Sequence, residues 1–179
     1  AVYLGGGSLG LGRSYYQKVD EKNTATLGDY AQYISTLYGK VDPTTKDLKG
    51  PRVVAFEKEI ASYLKTVEES RDAQKRYNPV AVSDLNKMVK NVDVAAFLKG
   101  VGFTADTVII GELKYYQNLD KIINQKNIPV IKEYLKFQLM NNATSYLTQE
   151  LDELSFDFYG RKLKGQKEQR SLDKRGLEF

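Results

Sequence analysis

Three sets of carboxylates and one glycine pattern are the residues of this 179-residue chain that could do chemistry by type and spacing. The carboxylates are Glu57 with Glu59, Glu68 with Glu69, and Glu150 with Asp152 and Glu153. General acid–base work needs two carboxyls converging on one cleft, in environments that split their pKa values. These acids instead fall among Lys and Arg, on helix faces opposite apolar stripes, so the expectation is a solvated face for all of them. Gly5, Gly7 and Gly10 spell Gly-x-Gly-x-x-Gly. A dinucleotide fingerprint requires a strand of adequate length just before it, and none is legible there. The glycines therefore predict a loop. No catalytic, cofactor-binding or metal-ligating residue is assigned anywhere in the chain.

Two zeros restrict the chemistry further. The sequence contains no His and no Cys. Zinc sites with nitrogen or sulfur ligands, iron–sulfur ligation and His-assisted nucleophiles are all excluded within it. The net charge is a modest +4. A basic run at Arg161, Lys162, Lys164, Lys167, Arg170, Lys174 and Arg175 could contact phosphates. It is diluted by Glu168, Asp173 and Glu178, and aromatic stacking partners stop at Tyr159. The expectation is no nucleic-acid partner. Asn142-Ala143-Thr144 matches a glycosylation acceptor but falls inside a helical pattern, where a chance match is expected. No apolar run approaches the roughly 18–20 residues of a membrane span. The N-terminus lacks the basic flank and apolar core of a signal peptide. The abrupt start and finish predict an excised or processed piece of a longer chain.

The elements that would position these residues are helical. Residues 1–12 read as a glycine-rich loop and residues 13–179 as one helical domain. From Ser14 to Tyr38, residues Leu27, Tyr30, Ala31, Ile34, Leu37 and Tyr38 share a face, with Gly39 and Pro43 ending the helix. Val53, Phe56, Ile60, Tyr63, Leu64 and Val67 make the next stripe. Ser83 and Asp93 are candidate N-caps of two short helices, the second closed by Gly100 and Gly102. Thr107 to Ile110 is the one strand-like run. Glu112 to Gln125 is helical again. Pro129 opens what reads as the longest helix, roughly seven turns. Its expected buried stripe is Ile131, Leu135, Leu139, Ala143, Leu147, Leu151, Leu154 and Phe158, with Gly160 as the stop and a polar restart near Gln166. The fold class is mainly α, with at most one short strand-like segment near 107–110.

In this order the motifs resemble the N-terminal, non-catalytic helical region of the neprilysin-type zinc metallopeptidases, a family that includes neprilysin, endothelin-converting enzyme and bacterial endopeptidase O. Ser8 to Tyr16 (Ser-Leu-Gly-Leu-Gly-Arg-Ser-Tyr-Tyr) resembles the family's opening Gly-Leu-Gly-Leu-Pro followed by Arg-Asp-Tyr-Tyr. Arg71-Asp72 through Tyr77-Asn78-Pro79, with Val82 and Leu85, resembles a second segment. Phe158-Tyr159-Gly160-Arg161, Gln166 to Arg170 and Lys174-Arg175 resemble a third. Departures are the missing Pro and Ser14 in the opening, Asp173 where Trp is usual, and Gly176 where animal members often carry Cys. With the absence of Cys, these favour a bacterial member.

The resemblance implies a lid domain that encloses a chamber and limits substrate size for a parent enzyme cleaving short peptides. It implies no metal in this chain, zinc in an absent catalytic domain, and that domain as the partner. A periplasmic, membrane-anchored or secreted location follows for a bacterial member, in preference to a cytoplasmic one. An excised lid should also expose an apolar patch. The alternative reading is a free-standing helical protein-binding or adaptor module.

Overall fold

A computed structural model describes residues 2–45, 47–171 and 174–175. Asp173, Gly176 and Glu178, named above, lie outside the described residues. The chain is mainly α-helical, with one small sheet.

The helices begin with α1 (Arg13–Gln17) and α2 (Glu21–Val41). The expected single helix from Ser14 is broken between them, because Asp20 is extended and its carboxylate caps α2 by accepting from the Asn23 N–H at 2.7 Å. Such a cap satisfies a first-turn donor that has no intrahelical partner. α2 runs through Gly39 and ends at Asp42, ahead of Pro43. α3 (Gly50–Tyr63) has Pro51 in its first turn, where the missing N–H costs nothing. The stripes read from the sequence are buried: Leu27, Tyr30, Ile34, Leu37 and Tyr38 on α2, and Val53, Phe56 and Ile60 on α3.

The small sheet has β1 (Tyr3–Leu4), β2 (Pro79–Ala81) and β3 (Thr107–Ile110) in the order β1-β3-β2. The strand-like run at 107–110 is thus the central strand. β1 runs parallel to it with Tyr3 opposite Ile109, and β2 antiparallel with Val80 opposite Val108. Val108, Ile109 and Ile110 are all buried, as expected of a strand covered on both faces. Pro79 is tolerated because β2 is an edge. Two of the three strands are two or three residues long and carry no periodicity signal of their own.

Before β2 lies the one-turn α4 (Ala73–Arg76). After it come α5 (Val82–Met88) and α6 (Val94–Gly100). Asp93 caps α6 through the Ala96 N–H at 2.8 Å, as expected. Ser83 caps nothing: the chain passes straight from β2 into α5, and the Val82 N–H donates to the Asp106 carbonyl. The predicted helix over 112–125 is divided at Asn118 into α7 (Leu113–Gln117) and α8 (Leu119–Ile122).

The largest correction concerns the helix after Pro129. α9 (Ile128–Ala143) ends in a 3-10 turn over Thr144–Tyr146, and α2 is the longest helix among the described residues. The backbone breaks at Leu147, and Thr148 caps α10 (Gln149–Ser155). On α9 the buried side chains are Tyr134, Phe137 and Met140, while Leu135 and Leu139 are exposed, as is Leu147 beyond it. α9 carries apolar residues on two faces, and contact with α2 and α3 selects one of them.

Nor does Gly160 stop the helix. α10 continues as a π-helical segment over Phe156–Lys162. The chain turns at Gly165, whose φ of +69° is open to glycine and strained for other residues. There the Gly165 and Gln166 N–H groups donate to the Arg161 and Gly160 carbonyls, closing the helix end. Residues 166–171 are not helical, so the polar restart does not form there.

Candidate functional site

The sequence places Glu57 on a solvated acidic face, and the structure places it at the centre of the core with 0% exposure. A signal for this was present: Glu57 lies four residues after Val53 and three before Ile60, inside the apolar stripe of α3. Its partner Glu59 is partly exposed, so the two do not converge.

Four groups from four segments aim at the Glu57 carboxylate. Oε1 accepts from the Gly10 N–H at 3.1 Å, from Gln138 Nε2 of α9 at 3.2 Å and from the Tyr30 hydroxyl of α2 at 3.4 Å. Oε2 accepts from the Tyr16 hydroxyl of α1 at 2.6 Å. The Tyr16 oxygen in turn accepts from the Leu11 N–H at 3.2 Å. Burial outweighs these donors and pushes the Glu57 pKa up to about 7. Burial, followed by the nearby Glu57 charge, raises both Tyr16 and Tyr30 far above the ordinary phenol value.

A second carboxylate, Glu112, is also buried. Its Oε1 accepts from Arg13 Nη1 at 2.9 Å and its Oε2 from the Lys65 N–H at 2.8 Å. The same Arg13 nitrogen donates to the Lys65 carbonyl. Gln17 Nε2 donates to the carbonyls of Ala61, Leu64 and Lys65 at and just beyond the C-terminal end of α3. Tyr134 on α9 donates to the Ser8 carbonyl at 2.7 Å. The stretch from Ser8 to Gln17 is thereby fastened to α2, α3 and α9 by both buried carboxylates. Its first half, Ser8 to Gly12, belongs to the expected loop, where the Gly10 and Leu11 N–H groups and the Ser8 carbonyl are hydrogen-bonded to side chains.

An acid or base must reach a substrate proton, whereas Glu57 is fully buried and accepts from four donors of its own chain. Several of the other carboxylates have local partners. Glu69 accepts from the Thr66 N–H, Glu150 pairs with Lys40, and Asp152 holds Arg175 in a two-pronged ion pair at 2.9 and 2.8 Å. In the basic run, Arg161 pairs with Asp157 and Lys162 with Asp29. No group of three or more His, Cys, Asp or Glu side chains that could hold a metal ion is present among the described residues.

The stretch Phe158-Tyr159-Gly160-Arg161 adds the buried Phe158 to the core and packs Tyr159 against it. Phe158 stacks on Tyr33 at 5.0 Å between ring centroids and on Tyr30 at 5.5 Å. Tyr159 meets Tyr33 edge-on. These rings bury the Tyr30 side chain whose hydroxyl reaches Glu57, so Phe158 and the Gly10–Tyr16 stretch pack around one polar centre.

Comparison with known proteins yields one family over the whole chain: a profile described as peptidase family M13 matches residues 1–179. The neutral endopeptidase of Lactococcus lactis subsp. cremoris is 26% identical over 167 residues, 93% of this chain and 26% of that protein. Neprilysin-1 of Caenorhabditis elegans is 25% identical over 182 aligned residues, 87% of this chain and 24% of that protein. Among solved structures, the Mycobacterium tuberculosis zinc metalloprotease Zmp1 in complex with inhibitor superposes with a TM-score of 0.88 at 25% identity. That superposition covers 98% of this chain and 28% of the other. The chain spans about a quarter of the length of the relatives it matches.

Proposed function

This chain belongs to peptidase family M13, and from that premise we propose that it is the non-catalytic helical lid of a bacterial zinc metalloendopeptidase. Its part is to form one wall of a chamber around short peptides and to exclude large folded proteins. The observation that carries this reading is a family match along all 179 residues by a chain only about a quarter as long as its relatives. The described residues do not fit a zinc site. His and Cys are absent from the sequence, and the two buried carboxylates are held by donors of the chain itself. The metal and the hydrolytic step therefore belong to the remaining polypeptide.

The core supports a rigid wall rather than a flexible cover. Glu57 ties the opening to α2, α3 and α9, so these segments move as one body, and closure over a substrate would be a motion of the whole lid. Residues 1–179 supplied with zinc and a panel of fluorogenic peptides are expected to give no hydrolysis. The longer polypeptide should cleave short peptides, lose that activity to a chelator, and leave folded proteins intact. Metal-dependent cleavage by residues 1–179 alone would overturn the assignment.

A further inference from the structure

The outer face of α9 has the spacing of a helix-packing seam. Ile128, Lys132, Leu135, Leu139 and Asn142 of α9, with Tyr146 of the 3-10 turn that follows it, succeed one another at intervals of four, three, four, three and four residues. All six are exposed, with Leu135 at 57% and Leu139 at 72%. Leu147 extends the patch past the break. The inner face of the same helix is already buried through Tyr134, Phe137 and Met140. A helix that is apolar on opposite sides is built to be covered on both, and alternating three-and-four spacing is the pattern by which one helix seats another.

We infer that this face is covered by a helix from the remainder of the same polypeptide, with Leu135 and Leu139 as its central contacts. The inference rests on the lid reading. Most of the length of each relative lies outside the part this chain matches, and in them both parts are on one chain. A segment tethered in this way meets the seam at a high effective concentration, whereas a second copy must be recruited from solution.

The absence of Cys from these residues makes the test direct. Leu135→Cys and Leu139→Cys are made separately in the longer polypeptide, with Val19→Cys, at a site 91% exposed, as the reference. Each is labelled with a maleimide and read by mass spectrometry of the labelled peptide. In the native protein, the two seam positions should react at least tenfold more slowly than Val19→Cys, and all three should react alike in denaturant. Equal native rates would overturn the inference. Protection that disappears when a dimer is diluted to monomer would also overturn it, by showing that a second copy covers the seam. The intact mass separates the two levels of the argument. A natural product of only about 20.3 kDa, the mass of these residues, removes the lid reading and the seam with it. A larger product with freely reacting seam positions removes the seam alone.

Discussion

The Tyr16 hydroxyl donates to Glu57 Oε2 at 2.6 Å across 41 residues of sequence, in a site closed to solvent. The same oxygen accepts from the Leu11 N–H. Tyr16→Phe keeps the ring and removes both bonds, leaving a buried carboxylate short of a donor and a backbone N–H without an acceptor. An unmade bond to a buried group costs about 1–3 kcal/mol. A loss of about 2–3 kcal/mol is expected in urea unfolding of residues 1–179, with an unchanged slope against denaturant. A loss below 0.5 kcal/mol would show that the Tyr16–Glu57 contact does not hold the opening in place.

Glu57 sets a pH dependence whose sign is opposite to that of an ion-paired acid. Its folded pKa, about 7, lies above the ordinary carboxylate value. Between these values the unfolded chain has released the proton and the folded chain retains it. The native state then binds more protons, so stability falls as pH rises from about 4.5 to 7. The full shift corresponds to roughly 3 kcal/mol. No His or Cys is present to titrate in the same window. Urea midpoints for residues 1–179 should decline from pH 5 to pH 7.5, and Glu57→Gln should flatten that decline. A stability that climbs over this range would contradict the buried, proton-retaining carboxylate.

Gly10 and Gly5 offer a paired test of the glycine-rich opening. A Cβ at Gly10 would lie 1.5 Å from the Tyr30 hydroxyl oxygen, whereas one at Gly5 meets nothing within 4 Å. Gly10→Ala forces the loop off Glu57 and breaks the Gly10 bond. Its expected cost is at least about 2 kcal/mol, from overpacking together with the lost bond. Gly5→Ala should stay within about 0.5 kcal/mol. Thermal unfolding of the two variants, side by side, checks the ranking.

How much of this could be read in the sequence depends on whether one face of an element carried all the information. α2 and α3 show a single apolar stripe each, and Leu27, Tyr30, Ile34, Val53, Phe56 and Ile60 are buried as periodicity predicts. The Asp93 cap is local chemistry and was equally legible. On α9, periodicity fits two faces, and only the docking of α2 and α3 decides between Phe137 and Leu139. Glu57 sits within the apolar stripe of α3, but a carboxylate by residue type points to the surface. Its donors come from residues 10, 16, 30 and 138, and that convergence exists only in the folded chain. β1 and β2 are too short to show alternation and are fixed by pairing with β3.

Phe158 tests whether the π-helical segment is part of the core or an appendage to it. The ring is buried and stacks on both Tyr30 and Tyr33. Truncating a buried Phe to Ala costs about 3–5 kcal/mol, because transfer energy and cavity formation add. Phe158→Ala should reach that range and should also loosen Tyr30, whose hydroxyl bonds to Glu57. The added consequence is a smaller fall in stability between pH 5 and pH 7.5, since water admitted beside Tyr30 lowers the Glu57 pKa toward the ordinary value. Phe97, exposed on α6, is the control, and Phe97→Ala should change stability by less than about 0.5 kcal/mol. A Phe158→Ala protein with unaltered stability and an unaltered pH slope would separate the π segment from the polar centre around Glu57.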